Sequence, residues 1–170
     1  MGLVASARID TSGPLLKGQA PEIVQRHIDA LVQELTLLLQ REVKTRTPQG
    51  VFGAQGGLLG SIQAEVTGRG TPLIKGLVAS AHAYAETIEK GRRPGGKMPP
   101  PGVLVRWIEQ KFGVDGDTAQ RLEFVVRRKI ARAGFDGAKM FERAFVESQN
   151  LMQQRAAARG LSITRELDRG

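Results

Sequence analysis

The sequence has no cysteine and few aromatic residues. In a chain of 170 residues with Cys at zero, disulfides and thiolate metal sites are excluded. Aromatic residues make up 5% of the chain, too few for the stacking platform that binds single-stranded nucleic acid. No stretch approaches the roughly 18 apolar residues of a membrane span. The first residues lack a basic segment followed by an apolar one, so we expect no secretory signal and a cytoplasmic origin.

Positive charge and glycine, by contrast, are abundant. The chain has 25 Lys+Arg against 17 Asp+Glu, a net charge of +8, and 21 glycines. Its length predicts one domain, large enough to bury a core without covalent staples. The excess of cations favours phosphate backbones or acidic proteins as partners.

Hydrophobic periodicity predicts a long amphipathic helix over residues 21–46. Pro21 suits the first helical position, and Thr47-Pro48 stops the helix because proline disfavours helical geometry in the residue before it. The predicted apolar stripe recurs at three- and four-residue spacing and consists of Val24, Ile28, Leu31, Leu35, Leu38 and Leu39.

The middle of the chain predicts a small antiparallel sheet. Residues 48–61 are glycine-rich and predict a loop. Residues 62–67 and 73–80 have strand character, and residues 82–90 either continue the sheet or form a short helix. Residues 91–102, which include three consecutive prolines, predict an irregular, extended course.

Two to three helices are predicted in the last third. The first covers residues 103–112 and ends at Gly113; the second begins at Asp117 or Thr118 and ends at Gly134; the third begins near Gly137. The residues predicted to share one face of each helix are Leu104, Ile108 and Lys111 with Trp107 adjacent; Leu122, Val125 or Val126, Ile130 and Ala133; and Phe141, Phe145, Ser148 and Met152.

This order of elements predicts an α+β fold with helices and strands segregated along the chain. We divide it into an N-terminal arm or short strand (residues 1–20), one α+β domain (residues 21–154) and an Arg-rich C-terminal tail (residues 155–170). The polar tail is expected to fray.

Three motifs suggest chemistry, and each is incomplete. Residues 91–98 nearly match a phosphate-binding P-loop, but Met98 stands where that loop needs a hydroxyl. His82 is near Glu86 and Glu89 in sequence, which makes an acid–base pair conceivable. His27 is adjacent to the stripe of the first helix. Two isolated histidines do not make a metal site, so we expect no catalytic residue, cofactor or metal.

Basic residues form two clusters. Arg92, Arg93 and Lys97 lie on the Pro/Gly-rich stretch, and Arg127, Arg128, Lys129 and Arg132 lie on the outward part of one predicted helix. Residues 121–170 hold eleven Lys+Arg against six acids. Both clusters are candidates for contact with DNA in a channel or with a protein partner. The alternative is a solvated helix face with a Glu123–Arg127 salt bridge at four-residue spacing.

The order of motifs resembles the tail-completion, or head–tail joining, neck proteins of long-tailed bacteriophages. After the helix that ends at Thr47-Pro48, Gly57-Leu58-Leu59-Gly60-Ser61-Ile62 is similar to the family string T-G-x-L-x-x-S-I, without its threonine. The segment from Ala83 to Gly91 is similar to Y-A-x-x-x-E-x-G. The resemblance covers roughly residues 21–150, and its motif residues are Gly57, Leu58, Ser61, Ile62, Tyr84, Ala85, Glu89, Gly91, Pro101, Trp107, Gly134, Gly137 and Phe141.

The resemblance implies a structural role in a virion. Such proteins form a homo-oligomeric ring at the top of the tail or in the neck, contact neighbouring connector and tail-tube proteins, and join the tail to the DNA-filled head. It implies non-specific contact with genomic DNA at most, no membrane, and synthesis in the bacterial cytoplasm. Two alternatives remain: a small basic nucleic-acid-binding protein outside a virion, and a hydrolase that uses His82 and Glu86.

Overall fold

A computed structural model describes residues 18–48 and 57–168 and has the predicted α+β fold. The predicted arm lies mostly outside the described residues, as do positions 49–56 of the glycine-rich loop. In chain order the elements are α1 (Ala20–Arg46), α2 (Gly57–Ser61), β1 (Ile62–Thr67), β2 (Lys75–Ser80), α3 (Ala85–Lys90), β3 (Gly91–Arg92), α4 (Val105–Phe112), α5 (Gly116–Ala133), β4 (Phe135–Asp136) and α6 (Met140–Asp168). Strand β1 pairs with β2, and β3 pairs antiparallel with β4.

Local chemistry sets the helix ends. At the end of α1 the Thr47 hydroxyl donates to the Val43 carbonyl at 2.7 Å, and Pro48 follows. The N–H of Gly113 closes α4 on the Glu109 carbonyl at 2.8 Å. Asp115 caps α5 by accepting the Thr118 N–H at 3.0 Å, so α5 begins just before the predicted Asp117 or Thr118. The predicted ends at Gly113 and Gly134 are confirmed.

The chain divides into two compact units. The first combines Met1–Leu37, Glu65–Leu77 and Gln149–Gly170. In its described part, Asp29 accepts the Gly70 N–H at 2.9 Å, which fixes the turn between β1 and β2. Glu34 on α1 pairs with Arg155 at 3.2 Å and Arg159 at 3.0 Å on α6.

The second unit combines Leu38–Ala64 and Val78–Ser148 and holds the main core. The buried cluster consists of Val43, Leu58, Ile62, Ala85, Met140 and Ala144, with Leu39, Val78, Ile88 and Phe141 packed against it. Burial of this apolar surface is the main driving force for folding the unit. Ile108 on α4 and Ala119 on α5 are also fully buried.

Three predictions about the course of the chain are wrong. The predicted glycine-rich loop contains helix α2, because Leu58 joins the core. The Pro/Gly-rich stretch begins with β3, which pairs with a strand more than 40 residues later in the sequence. The tail from residue 155 is not frayed to Asp168: it continues α6, and Arg155 and Arg159 both pair with Glu34 of α1.

Three predicted stripes are partly wrong. On α5, Leu122 is exposed at 38% and Val125 at 62%, whereas Glu123 is buried. On α6, Met140, Ala144 and Ser148 are buried while Phe145 is half exposed. In α1, Ile28 is exposed at its surface. The physical reason on α5 is that the Glu123 carboxylate finds backbone donors inside the fold.

Candidate functional site

Residues of the family-like motifs meet at one junction in the second unit. The carboxylate of Glu89, at the end of α3, accepts the N–H groups of Phe141 and Glu142, both at 3.0 Å. These are unpaired donors of the first turn of α6, where a negative charge is favourable to the helix dipole. The Ala138 N–H donates to the Ile88 carbonyl at 2.8 Å. The end of α3 is therefore fastened to the start of α6.

Glycines permit the close approach at this junction. Gly91 has φ +75° and Gly134 has φ +64°, a region that disfavours side chains. A Cβ on Gly91 would collide with the backbone of Phe135 and Gly137, and one on Gly134 would collide with the Arg92 carbonyl. The strand pair β3–β4 thus depends on glycine at two positions, Gly91 within β3 and Gly134 directly before β4.

The Gly57–Ile62 motif serves the same core. Leu58 and Ile62 are buried within it. The Ser61 hydroxyl donates to the Leu58 carbonyl at 2.7 Å and lies 2.6 Å from the Ser80 hydroxyl. This serine therefore joins the end of α2 to the end of β2.

His82, Glu86 and Glu89, which the sequence suggested as an acid–base pair, each contact different residues. His82 packs against Tyr84 with ring centroids 3.9 Å apart and the ring planes tilted by 49°, and its buried Nδ1 has no hydrogen-bond partner among the described residues. Glu86 accepts from Lys90 at 2.6 Å, and this hydrogen bond keeps the pKa of the Glu86 carboxyl below its usual value. The Glu89 carboxylate is hydrogen-bonded to backbone N–H groups of α6. The predicted His82–Glu86 arrangement is not formed.

His27 belongs to an ion-pair cluster in the first unit. Its Nε2 lies 2.8 Å from a carboxylate oxygen of Glu166, which also pairs with Arg26. Hydrogen bonds from His27 first, and from Arg26 second, lower the pKa of the Glu166 carboxyl. Sequence reasoning missed this cluster, because nothing local indicates that positions 27 and 166 meet.

The Pro/Gly loop (residues 93–104) is bound along α5. The Gly95 N–H donates to the Ala131 carbonyl at 2.8 Å, and Arg127 Nε donates to the Pro99 carbonyl at 2.6 Å. The Glu123 carboxylate accepts the N–H groups of Gly102 at 2.9 Å and Leu104 at 3.0 Å. Loop residues later in the sequence contact α5 residues that are earlier in the sequence, so the loop runs antiparallel to α5.

This arrangement brings the two predicted basic clusters onto one surface. The loop lies on the row of α5 that carries positions 123, 127 and 131, and the neighbouring row carries positions 124, 128 and 132. We call the exposed cations of the loop and of the solvent-exposed part of α5 the basic face; they are Arg93, Lys97, Arg121, Arg128 and Arg132, with Lys129 at its far edge, on the opposite side of the helix from Arg127.

Two of the predicted contact residues are structural instead. Arg127 is half buried and holds the loop through Pro99. Arg92 is half buried and its guanidinium donates to the Lys97 carbonyl. The alternative salt bridge between Glu123 and Arg127 is replaced by separate contacts of both side chains with the loop.

Other predicted motif residues lie apart from this surface or at its edge. Trp107 on α4 packs edge-to-face against Phe112 with ring centroids 6.0 Å apart. Pro101 is exposed within the Pro/Gly loop. Sequence reasoning treated Glu123 only as a surface ion-pair partner, since its loop donors lie 19 and 21 residues earlier in the chain.

Two further findings concern what this part of the chain holds. Among the described residues, no helix combines the length and the apolar character needed to cross a membrane. Residues 18–48 and 57–168 also contain no group of three or more His, Asp or Glu that would hold a metal ion.

No family model, curated protein or solved structure matches the chain.

Proposed function

We propose that this chain is a structural protein of a tailed-phage virion. It forms an oligomeric ring at the top of the tail, or neck, which completes the tail and joins it to the DNA-filled head. The observation that carries the proposal is the order of motifs over residues 21–150, from Thr47-Pro48 to Phe141. This function requires no bond to be made or broken by the chain.

The contacts of these motifs are consistent with a scaffold role. Glu89, Gly91, Gly134 and Gly137 fix the backbone where α3, β3, β4 and α6 meet. Leu58 and Ile62 fill the core beneath them. The motif residues therefore hold a rigid subunit together, which a ring needs in order to close at a defined angle.

A ring of head-to-tail contacts also needs two different adhesive surfaces on each subunit. Within the second unit, Phe145 and Val146 on α6 are exposed at 50% and 59%. Val103, shortly before α4, and Phe112, its last residue, are similarly exposed. Large apolar side chains that remain in solvent are typical of surfaces that bind other proteins, so both places are candidates for subunit contact.

Electron microscopy of the purified chain and of the native assembly tests the proposal. We expect rings of the isolated protein, with a mass that is a fixed multiple of the subunit mass in light scattering. Val146→Asp should reduce assembly, because it places a charge on an apolar contact, whereas Asn150→Asp, an exposed polar position one turn further along α6, should not. A monomer at all concentrations, with no place in a tail or neck, would refute the proposal.

A nucleic-acid-binding protein that acts outside a virion is the second candidate. The observation that favours it is the convergence of the two basic clusters on one surface. Salt-sensitive DNA binding by a protein that stays monomeric, combined with normal head–tail joining in its absence, would favour this candidate over the ring.

A further inference from the structure

The cations of the basic face have different surroundings from three arginines on α6. None of the six forms an ion pair with another residue in the described part of the chain. By contrast, Arg143 on α6, 57% exposed, pairs with Glu147 at 3.1 Å. Arg155 and Arg159 share Glu34. Arg69 and Lys111 are exposed and form no ion pair among the described residues either, so it is the grouping of six such cations on one loop and one helix that sets the basic face apart.

The acid closest in sequence to these cations is turned away from them. Glu123 is 6% exposed, and both of its carboxylate oxygens accept N–H groups of the Pro/Gly loop. The exposed rows of α5 from Arg121 to Arg132 consequently carry cations without an interleaved carboxylate. Their mutual repulsion is a cost that an anionic partner would remove.

The distribution of the cations along α5 and the loop favours a continuous polyanion as the binding partner. Arg121 and Arg132 are eleven residues apart, about 16 Å along a helix. The loop adds Arg93 and Lys97 from a second segment of the chain. Duplex DNA carries about one negative charge per 1.7 Å of its axis, so a surface of this length spans several phosphates.

We propose that the basic face binds the phosphate backbone of duplex DNA without reading its sequence. The inference rests on the proposed function, in which the ring surrounds or abuts the path of the genome, and it assigns the surface of each subunit that faces the DNA. Long, flexible cations on one helix and one loop supply charge and reach, which phosphate contact requires.

Fluorescence anisotropy with a labelled 30-base-pair duplex of arbitrary sequence tests this, using the full-length protein. If four of the six cations contact phosphates, the logarithm of the association constant falls with the logarithm of salt concentration with a slope of about −3.6. Affinity then drops about 150-fold between 50 and 200 mM salt. A second duplex of unrelated sequence should bind equally well.

Arg128→Ala with Arg132→Ala is the decisive variant. Each substitution removes one phosphate contact, so we expect about tenfold weaker binding per side chain at 0.1 M salt, and a slope smaller in magnitude by about 2 for the pair. Arg143→Ala, which removes a similarly exposed but ion-paired arginine, is the matched control and should change neither quantity. Equal effects of the control and the double variant would overturn the assignment, as would wild-type affinity in the double variant.

Phe124→Ala separates DNA from an acidic protein partner. Phe124 is 56% exposed beside these cations, and phosphate contact does not require it. Poly-L-glutamate that binds as tightly as the duplex, with loss of binding in Phe124→Ala, would overturn the proposal in favour of a protein partner. Light scattering in the same buffers keeps the two proposals apart: rings without DNA binding refute only the basic face, and a DNA-binding monomer refutes only the ring.

Discussion

Glu123 makes the arrangement of α5 and the Pro/Gly loop directly testable. Glu123→Gln preserves the length of the side chain but replaces one acceptor oxygen with an amide group that cannot accept a hydrogen bond. One of the two loop N–H groups, at Gly102 or Leu104, therefore loses its partner. A hydrogen bond to a charged group contributes about 1.5–3 kcal/mol, and the surviving bond becomes weaker because its acceptor is neutral.

Relief of the buried charge offsets part of this loss. A carboxylate that is 6% exposed has given up most of its hydration, and the neutral amide is cheaper to bury. We therefore expect the free energy of unfolding to fall by about 2 kcal/mol rather than by the sum of two charged bonds. Urea denaturation measures this as a lower midpoint with an unchanged slope.

Glu142→Gln is the control, because Glu142 is an exposed glutamate whose side chain is 60% accessible. It should alter stability by at most about 0.5 kcal/mol. Hydrogen exchange at the Gly102 and Leu104 amides gives an independent readout, and we expect faster exchange only in Glu123→Gln. If both variants have the same midpoint and the two amides stay protected, Glu123 does not hold the loop and the reasoning fails.

Two further predictions concern the glycine junction and the pH dependence of the first unit. Gly134→Ala should lower the free energy of unfolding by about 2 kcal/mol or more, since it combines an unfavourable φ with a backbone collision at Arg92. Gly96→Ala is the control, because its added Cβ has room, and it should be near neutral in the same urea titration. Equal midpoints of the two variants would contradict the close approach of the backbone at Gly134. Because His27 and then Arg26 lower the pKa of Glu166, its contribution is present above the ordinary glutamate pKa and is lost as pH falls through the lowered value. Glu166→Gln should thus be less stable than the wild type near pH 7, and the difference should shrink as the pH falls below the ordinary glutamate pKa of about 4.3, whereas a constant difference from pH 7 to pH 3 would be evidence against this ion pair.

Features set by neighbouring residues could be predicted from the sequence. The end of α1 follows from Thr47-Pro48, and the ends of α4 and α5 follow from Gly113 and Gly134. Strand β1 matches the alternating segment 62–67. In each case the information lies within a few residues of the feature, where backbone preference and periodicity operate.

Features set by distant partners could not be predicted. Strand β3 exists because residues 91–92 meet residues 135–136. The C-terminal half of α6 is ordered partly through Glu34 and Glu166, whose pairing with residues more than 100 positions away has no local signature. Single exposed ion pairs contribute little, but here they accompany a continuous helix with a half-buried face that includes Met152 and Ile163.

The same limit applies to the candidate site. Sequence spacing identified Arg128 and Arg132 as outward cations but could not assign Arg127 and Arg92 to structural roles. Those roles depend on the carbonyls of Pro99 and Lys97, which come within reach only when the loop runs along α5. The composition of the loop predicted an irregular backbone, but it did not predict that the loop would lie against α5.

The orientation of α5 connects the buried carboxylate to the basic face. The predicted stripe would place Leu122 and Ala133 inward, and the observed helix is turned by roughly 40° so that Ala119 and Glu123 face inward instead. Successive residues of a helix are about 100° apart, so this rotation points positions 121, 125 and 128 to solvent. An apolar stripe alone would favour the other rotation, since it buries more hydrocarbon. The backbone donors of Gly102 and Leu104 reverse that preference by giving a buried glutamate two partners. The positions of these two loop N–H groups therefore favour the observed rotation of α5, and the loop and the helix must be considered as one surface.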